Sequence, residues 1–310
     1  MRDTASDVRP GVSLPKRVTA LGRAGPLASL RLGGTLSSLA WGAASVGIFC
    51  LVWEFCWLVG LADPRLLPPP HIFLGDLPNQ AKFFNTATRW EVGVSQSEAP
   101  SGTEAVMITV AATSARVIAG LAIASFLAIT AGILMRYFAL FEKLTMPTVM
   151  LLSAVSPVAW LPVAVFLFGI GNGPAIFMVV IALFFHMVIA TVAHIDNVPK
   201  NFIHVARTMG ATKRQVYARV IVPAILPPML MVLRLNLFGA WMVVLIAETT
   251  GVGYGLGQII MLARNTFNPP LVFCTIALIG VFGFLTDWSL RTLQRRVLYW
   301  IPNKGAAHGF

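Results

Sequence analysis

Long apolar runs, broken by short polar borders, dominate the chain from about residue 36 onward. A helix needs about 20 mostly apolar residues to cross a hydrocarbon layer of about 30 Å, and six stretches meet that length: 36–61, 117–135, 144–168, 175–194, 224–247 and 271–288. The third carries Pro147, Pro157 and Pro162, and the backbone groups that proline frees must be met inside protein or along a water-lined cavity. The pattern predicts an all-α integral membrane protein with six transmembrane helices, flanked by tails at 1–35 and 301–310.

Composition strengthens this picture. Apolar residues make up 57% of the 310 and charged residues 11%, against about 25% charged in a soluble domain. Cys50, Cys56 and Cys274 all lie within apolar runs, with neither a disulfide framework nor a metal-type spacing. With the amino terminus inside, the inner segments hold 17 Lys and Arg and the outer segments 4, which places both termini in the cytoplasm. Topology and anionic headgroups then account for the net charge of +11, and nucleic acid need not be invoked. The first apolar run starts too late and is too long for a cleavable signal peptide. Residues 63–104 form the one sizeable outer loop.

Catalytic signatures are absent. No GxxxxGK[ST] occurs to hold ATP phosphates, and GVGYGLG at 251–257 follows an apolar run and lacks the GxGxxG spacing. The five histidines fall at no metal-ligand spacing, and no nucleophile stands beside a base.

The inner segment 195–223 is informative. Phe202, Val205, Ala206 and Met209 recur at i, i+3, i+4 and i+7 and predict one face of a short amphipathic helix. Gly210 permits a left-handed turn, and a second helical stretch returns through Val216, Val220 and Ile221. A helix, a glycine break and a return helix project from the bilayer as a knob suited to a partner's groove.

This segment resembles the EAA loop of the permease subunits of ATP-binding-cassette (ABC) importers. The pattern E-A-A, three residues, Gly, nine residues, I-x-L-P meets His204-Val205-Ala206, Gly210 and Val220-Ile221-Val222-Pro223 at every fixed spacing, with His204 in place of Glu and Val205 in place of Ala. LLPPP (66–70), SARVIAG (114–120), SPVAWLPVAVFLFGIG (156–171), LPPMLMVLRLNLFGAW (226–241), AETTGVGYG (247–255) and TDWSL (286–290) are similar to the nitrate, sulfonate, taurine and bicarbonate class of these permeases.

The resemblance implies a type I importer fold with a cytoplasmic coupling helix in the bacterial inner membrane. It further implies two permease copies around one path, two ATPase subunits that bind ATP and Mg, and a periplasmic or lipid-anchored solute-binding protein. Phe202, His204, Val205, Ala206, Arg207, Gly210, Ala211 and Thr212 would couple the chain to the ATPase, and the permease itself would be no enzyme. Membrane lipids are a further partner, since Lys200, Arg207, Lys213 and Arg214 suit anionic headgroups. The alternative is an ion-coupled secondary transporter.

Polar residues within the apolar runs are candidates for the translocation path: Pro157, Trp160, Pro162, Arg234, Asn236, Trp241, Glu248, Thr249 and Thr250. Arg234 is expected to act as a structural post, because an unpaired intramembrane charge is costly. Arg116, followed by 19 uncharged residues, reads as a snorkelling anchor at the outer interface. Glu248 reads as an exposed helix end or a gate residue. Glu54 and Asp287 are expected to find partners within the bundle, and His186 to be a satisfied core histidine.

Overall fold

The computed structural model describes residues 34–60, 63, 66–84 and 102–298, and every described regular element is a helix. The 1–33 and 299–310 tails and residues 64–65 and 85–101 of the outer loop lie outside the described residues. The chain divides into a unit at 1–53 and a larger one at 54–310. The first apolar helix, α1, runs Gly34–Leu58, followed by two short helices, α2 (Pro70–Gly75) and α3 (Leu77–Gln80). The bundle is built from α4 (Gly102–Tyr137), α5 (Ala139–Ser153), α6 (Leu161–Phe168), α7 (Asn172–Asp196), α8 (Lys200–Thr208), α9 (Lys213–Val216), α10 (Val222–Ala247), α11 (Leu256–Asn265) and α12 (Pro269–Val297).

Among the described residues, five helical stretches are long and apolar enough to cross a bilayer, and a sixth results if α5 and the 157–168 segment count as one. That pair differs from a straight third span. The two halves meet at 99°, because Pro157 biases Ser156 away from helical backbone and Ser156 adopts ψ 131°. The second span also begins far earlier than the apolar run suggests, at Gly102, with Arg116 inside it. The fifth forms part of one helical stretch from Lys213 to Thr250. A π-helical turn at Tyr217–Ile221 precedes Pro223, whose missing N–H would break a regular ladder.

The core sits where α4, α7 and α10 pack together. Gly120, Ala124, Ala128 and Gly132 repeat every fourth residue along α4, and both alanines are fully buried. A Cβ on Gly120 would lie 2.6 Å from Val179 Cβ, and one on Gly132 would lie 2.7 Å from Thr191 Cβ. This stripe of small residues lets two helix backbones approach within membrane-type packing distance.

Candidate functional site

Among the described residues, two gatherings of polar side chains stand out, one near each end of the bundle. The first centres on Arg116, whose side chain is 3% exposed and whose partner Glu248 is fully buried. Arg116 Nη1 donates to Glu248 Oε1 (2.6 Å) and to the Tyr254 carbonyl (3.1 Å), and Nε donates to Asn172 Oδ1 (2.7 Å). The Tyr254 ring covers the guanidinium at 4.1 Å, and its hydroxyl donates to the same Asn172 oxygen (3.0 Å). Glu248 Oε2 accepts from the Gly257 N–H (2.9 Å), and Thr113 Oγ1 accepts from the Leu256 N–H (3.1 Å). One guanidinium thereby ties α4, the start of α7, the end of α10 and the start of α11.

The glycine run at 251–257 exists to close around this pair. A Cβ on Gly255 would stand 2.3 Å from the Glu248 carboxyl carbon, and one on Gly257 would stand 2.2 Å from the Leu245 carbonyl oxygen. Gly253 and Gly255 also take φ of 82° and 134°, which L side chains rarely adopt. Arg116 is therefore no snorkelling anchor, and Glu248 is no exposed helix end. Two opposite charges taken out of water demand each other, because either alone would carry its full desolvation cost.

The second gathering surrounds α8. Gly210, at φ 81°, ends the helix, its N–H donating to the Arg207 carbonyl while the Ala211 N–H donates to that of Ala206. These two bonds are a Schellman cap. Thr212 then opens α9 through a capping box with Gln215. Ile203, Ala206 and Ala211 pack on the core, whereas Phe202 (59%), Val205 (59%) and Met209 (83%) are exposed. The predicted stripe thus splits, with Ala206 turned inward and the other three outward. His204 and Arg207 are also exposed.

Contacts to the bundle fix this loop. Tyr217 Oη donates to the Arg136 carbonyl (2.6 Å), and Lys213 Nζ donates to the Tyr137 carbonyl (2.7 Å) above the Tyr137 ring. Arg136 itself pairs with Glu142 at 2.5 Å and with Asp196.

The remaining candidates divide into two groups. Trp160 packs with Ala164, Met178, Ala247 and Val252, beside the half-buried Thr249 and the exposed Thr250. Pro157 and Pro162 lie at and just after the 99° bend. Arg234 and Trp241 instead face α12. Arg234 Nε donates to Asp287 Oδ1 (2.6 Å), Arg291 Nε donates to Asp287 Oδ2 (2.8 Å), and Trp241 Nε1 donates to Thr286 Oγ1 (3.2 Å). Asn236 donates to the Val232 carbonyl of its own helix (2.9 Å). Glu54 pairs with His71, and the His186 ring lies 3.3 Å from the Ala182 carbonyl.

Residues 106–299 match the family of binding-protein-dependent transport system inner membrane components. The chain belongs to that family. The permease is 30% identical over 261 residues to the taurine transport system permease protein TauC of Escherichia coli K12, covering 83% of this chain and 89% of that one. It is 27% identical over 210 residues to the nitrate import permease protein NrtB of Leptolyngbya laminosa, covering 67% and 75%. Its fold matches a chain of the MetNI methionine ABC transporter, solved in inward-facing conformations, with a TM-score of 0.56 at 18% identity over 62% of this chain and 95% of that one.

Several permease residues of the two gatherings escape sequence reasoning. Asn172, Tyr254 and Gly257 complete the Arg116 site, while Arg136, Lys213 and Tyr217 hold the loop. The glycine run just after Glu248 was the available signal for the former. For the latter it was the basic and aromatic pair Arg136-Tyr137 ending an apolar run.

Proposed function

We propose that two copies of this permease enclose one path and that each α8 docks on a cytoplasmic ATPase subunit, which holds ATP and Mg. A periplasmic or lipid-anchored binding protein delivers the solute. The observation that carries this reading is the division of α8: one face is fastened to the bundle, and Phe202, Val205 and Met209 stand outward with no partner among the described residues. An apolar stripe on a short, firmly capped helix is what a groove on another subunit recognises. In this reading the chain makes no bonds, both termini are cytoplasmic in the bacterial inner membrane, and ATP-driven motion of α8 is transmitted through Tyr217 and Lys213 to α4. The buried acids Glu248 and Asp287 are both held by arginines, which does not favour their carrying ions in a secondary transporter.

The solute is a small anion of the taurine, sulfonate, nitrate or bicarbonate kind, supported by the likeness to TauC and NrtB. Copurification tests the docking: the wild-type permease retains a nucleotide-binding subunit, and Phe202→Asp with Val205→Asp loses it while staying in the membrane. Retention by that variant would sink the docking. A rise in melting temperature of the cognate binding protein with taurine, an alkanesulfonate, nitrate or bicarbonate identifies the solute, and no rise with any of them would overturn the anion assignment.

A further inference from the structure

A cleft of about 230 Å³ lies behind α8, on the side away from Phe202 and Val205. Its rim carries Arg136, Lys200, Arg207 and Lys213, and its floor is apolar, with Val198, Val216 and Ile221 buried. Asp196 is the single acid in the lining. It pairs with Arg136, which also holds Glu142, so these two carboxylates face four cations. The excess is two positive charges.

The cations are not used up by the fold. Lys200 and Arg207 make no hydrogen bond or ion pair to any described residue, and Lys213 meets only the Tyr137 carbonyl and ring. Arg136 Nε is buried with no acceptor among the described residues, and a buried donor left bare costs its desolvation. On α8 the two free cations stand at i and i+7 with Ile203 between them, on one face of the helix.

We infer that this cleft binds a phosphate group, borne either by a lipid headgroup or by a free phosphate. Arginine forks and lysine ammoniums in one concavity match the several acceptor oxygens of phosphate, and its negative charge offsets the excess. A phosphate there bridges Lys200 and Arg207 of α8 to Lys213 of α9 and to the end of α4. It thereby stiffens the element that, on the proposed function, moves with the ATPase. Binding itself does not depend on that function.

The test uses the full-length chain alone in neutral detergent, so no ATPase subunit contributes phosphate sites. Inorganic pyrophosphate is titrated by thermal shift, and phosphatidylglycerol against phosphatidylcholine by native mass spectrometry. Lys200→Gln with Arg207→Gln weakens whichever probe binds by about tenfold or more. Arg214→Gln with Arg219→Gln, charge-matched but outside the lining, leaves it within about twofold. Pyrophosphate binding with this contrast assigns a free phosphate, and phosphatidylglycerol retention alone assigns the headgroup. Binding of neither probe, or equal loss in both variants, overturns the inference. All four side chains are exposed, so elution as a single folded species serves as the control. If binding holds while the ATPase copurification fails, the cleft stands and the coupling reading falls.

Discussion

Arg116 and Arg136 belong to the same helix, about 30 Å apart by helical rise, and they live in opposite surroundings. Arg116 is 3% exposed and sealed by Glu248, Asn172, the Tyr254 ring and a glycine loop with no room for a methyl at Gly255 or Gly257. The Arg136 side chain is 27% exposed, and around it stand cations with no acidic partner and a helix with an apolar outer face. At the first end the two charges pair with each other within the chain, leaving only Arg116 Nη2 of that pair without an acceptor among the described residues, so the elements are locked together. At the second the chain leaves charge and apolar surface unmatched, and unmatched surface is what a partner or ligand can use. One end of the bundle is finished by folding, and on the proposed function the other is finished by assembly.

The sharpest way to break this contrast is to remove one member of each pair. Glu248→Ala leaves the Arg116 guanidinium buried without its counter-charge, and the expected loss is about 3–5 kcal/mol. Arg136→Ala, at a partly exposed pair, should cost under about 1 kcal/mol. Unfolding in detergent by heat or denaturant measures both. The double substitution Arg116→Met with Glu248→Gln should recover much of the loss, since the pair is costly mainly when halved. Equal losses for Glu248→Ala and Arg136→Ala would erase the distinction between the ends.

The glycine cradle offers a second, smaller break. Gly257→Ala adds one carbon at 2.2 Å from the Leu245 carbonyl oxygen and 2.9 Å from Glu248 Cβ. Overpacking of this kind costs about 1–3 kcal/mol, and the backbone must shift to admit it. The same substitution at Gly280, where nothing lies within 4 Å, should be close to neutral. A neutral Gly257→Ala would mean that the loop is not closed around the carboxylate.

These two ends were unequally legible in the sequence. Hydropathy located every long span, because burial in lipid requires uninterrupted apolar length whatever the packing. The α8–Gly210–α9 element was readable too, since its stripe, its φ-positive glycine and its Thr212–Gln215 cap are all local. The Arg116 site was not, because its two charges lie 132 positions apart and each, taken alone, borders an apolar run. Charge sign and depth together held the missing hint: topology put both residues near the same side of the membrane, and a lone cation and a lone anion at equal depth invite pairing. The bend after α5 was hidden for a different reason. Three prolines in one run mark a break, but they do not say whether the chain continues onward or turns by 99°.

Gly210 separates stability from action at the open end. A Cβ there meets nothing within 4 Å, but φ is 81°, so Gly210→Asp strains only the local turn. Aspartate visits this region more readily than most residues, and the expected cost is about 1 kcal/mol. ATP-driven uptake should nevertheless be abolished, with the protein still in the membrane, because the Schellman cap sets the angle between α8 and α9. Normal uptake by this variant would remove the lever from the coupling proposal.

The smallest effect concerns a carboxylate that is held without an arginine. Asp76 accepts hydrogen bonds from Asn79 Nδ2 (2.8 Å) and from the Gln80 side chain, and these, Asn79 first, hold its pKa below the ordinary 3.8. Gln80 in turn accepts from Asn268 Nδ2 at 3.0 Å, so the carboxylate orients a bridge to the start of α12. A depressed folded pKa contributes stability that is present above the unfolded value and lost as pH falls through the folded one. Wild type should therefore melt slightly above Asp76→Asn at pH 6, and the gap should close as pH falls below the ordinary carboxylate range and through the lowered folded pKa. Subtracting the two melting curves isolates Asp76 from the other carboxylates that titrate in the same window. A gap that stays constant with pH would show that the carboxylate's charge adds nothing to the bridge, and that the acid here behaves as a neutral amide would.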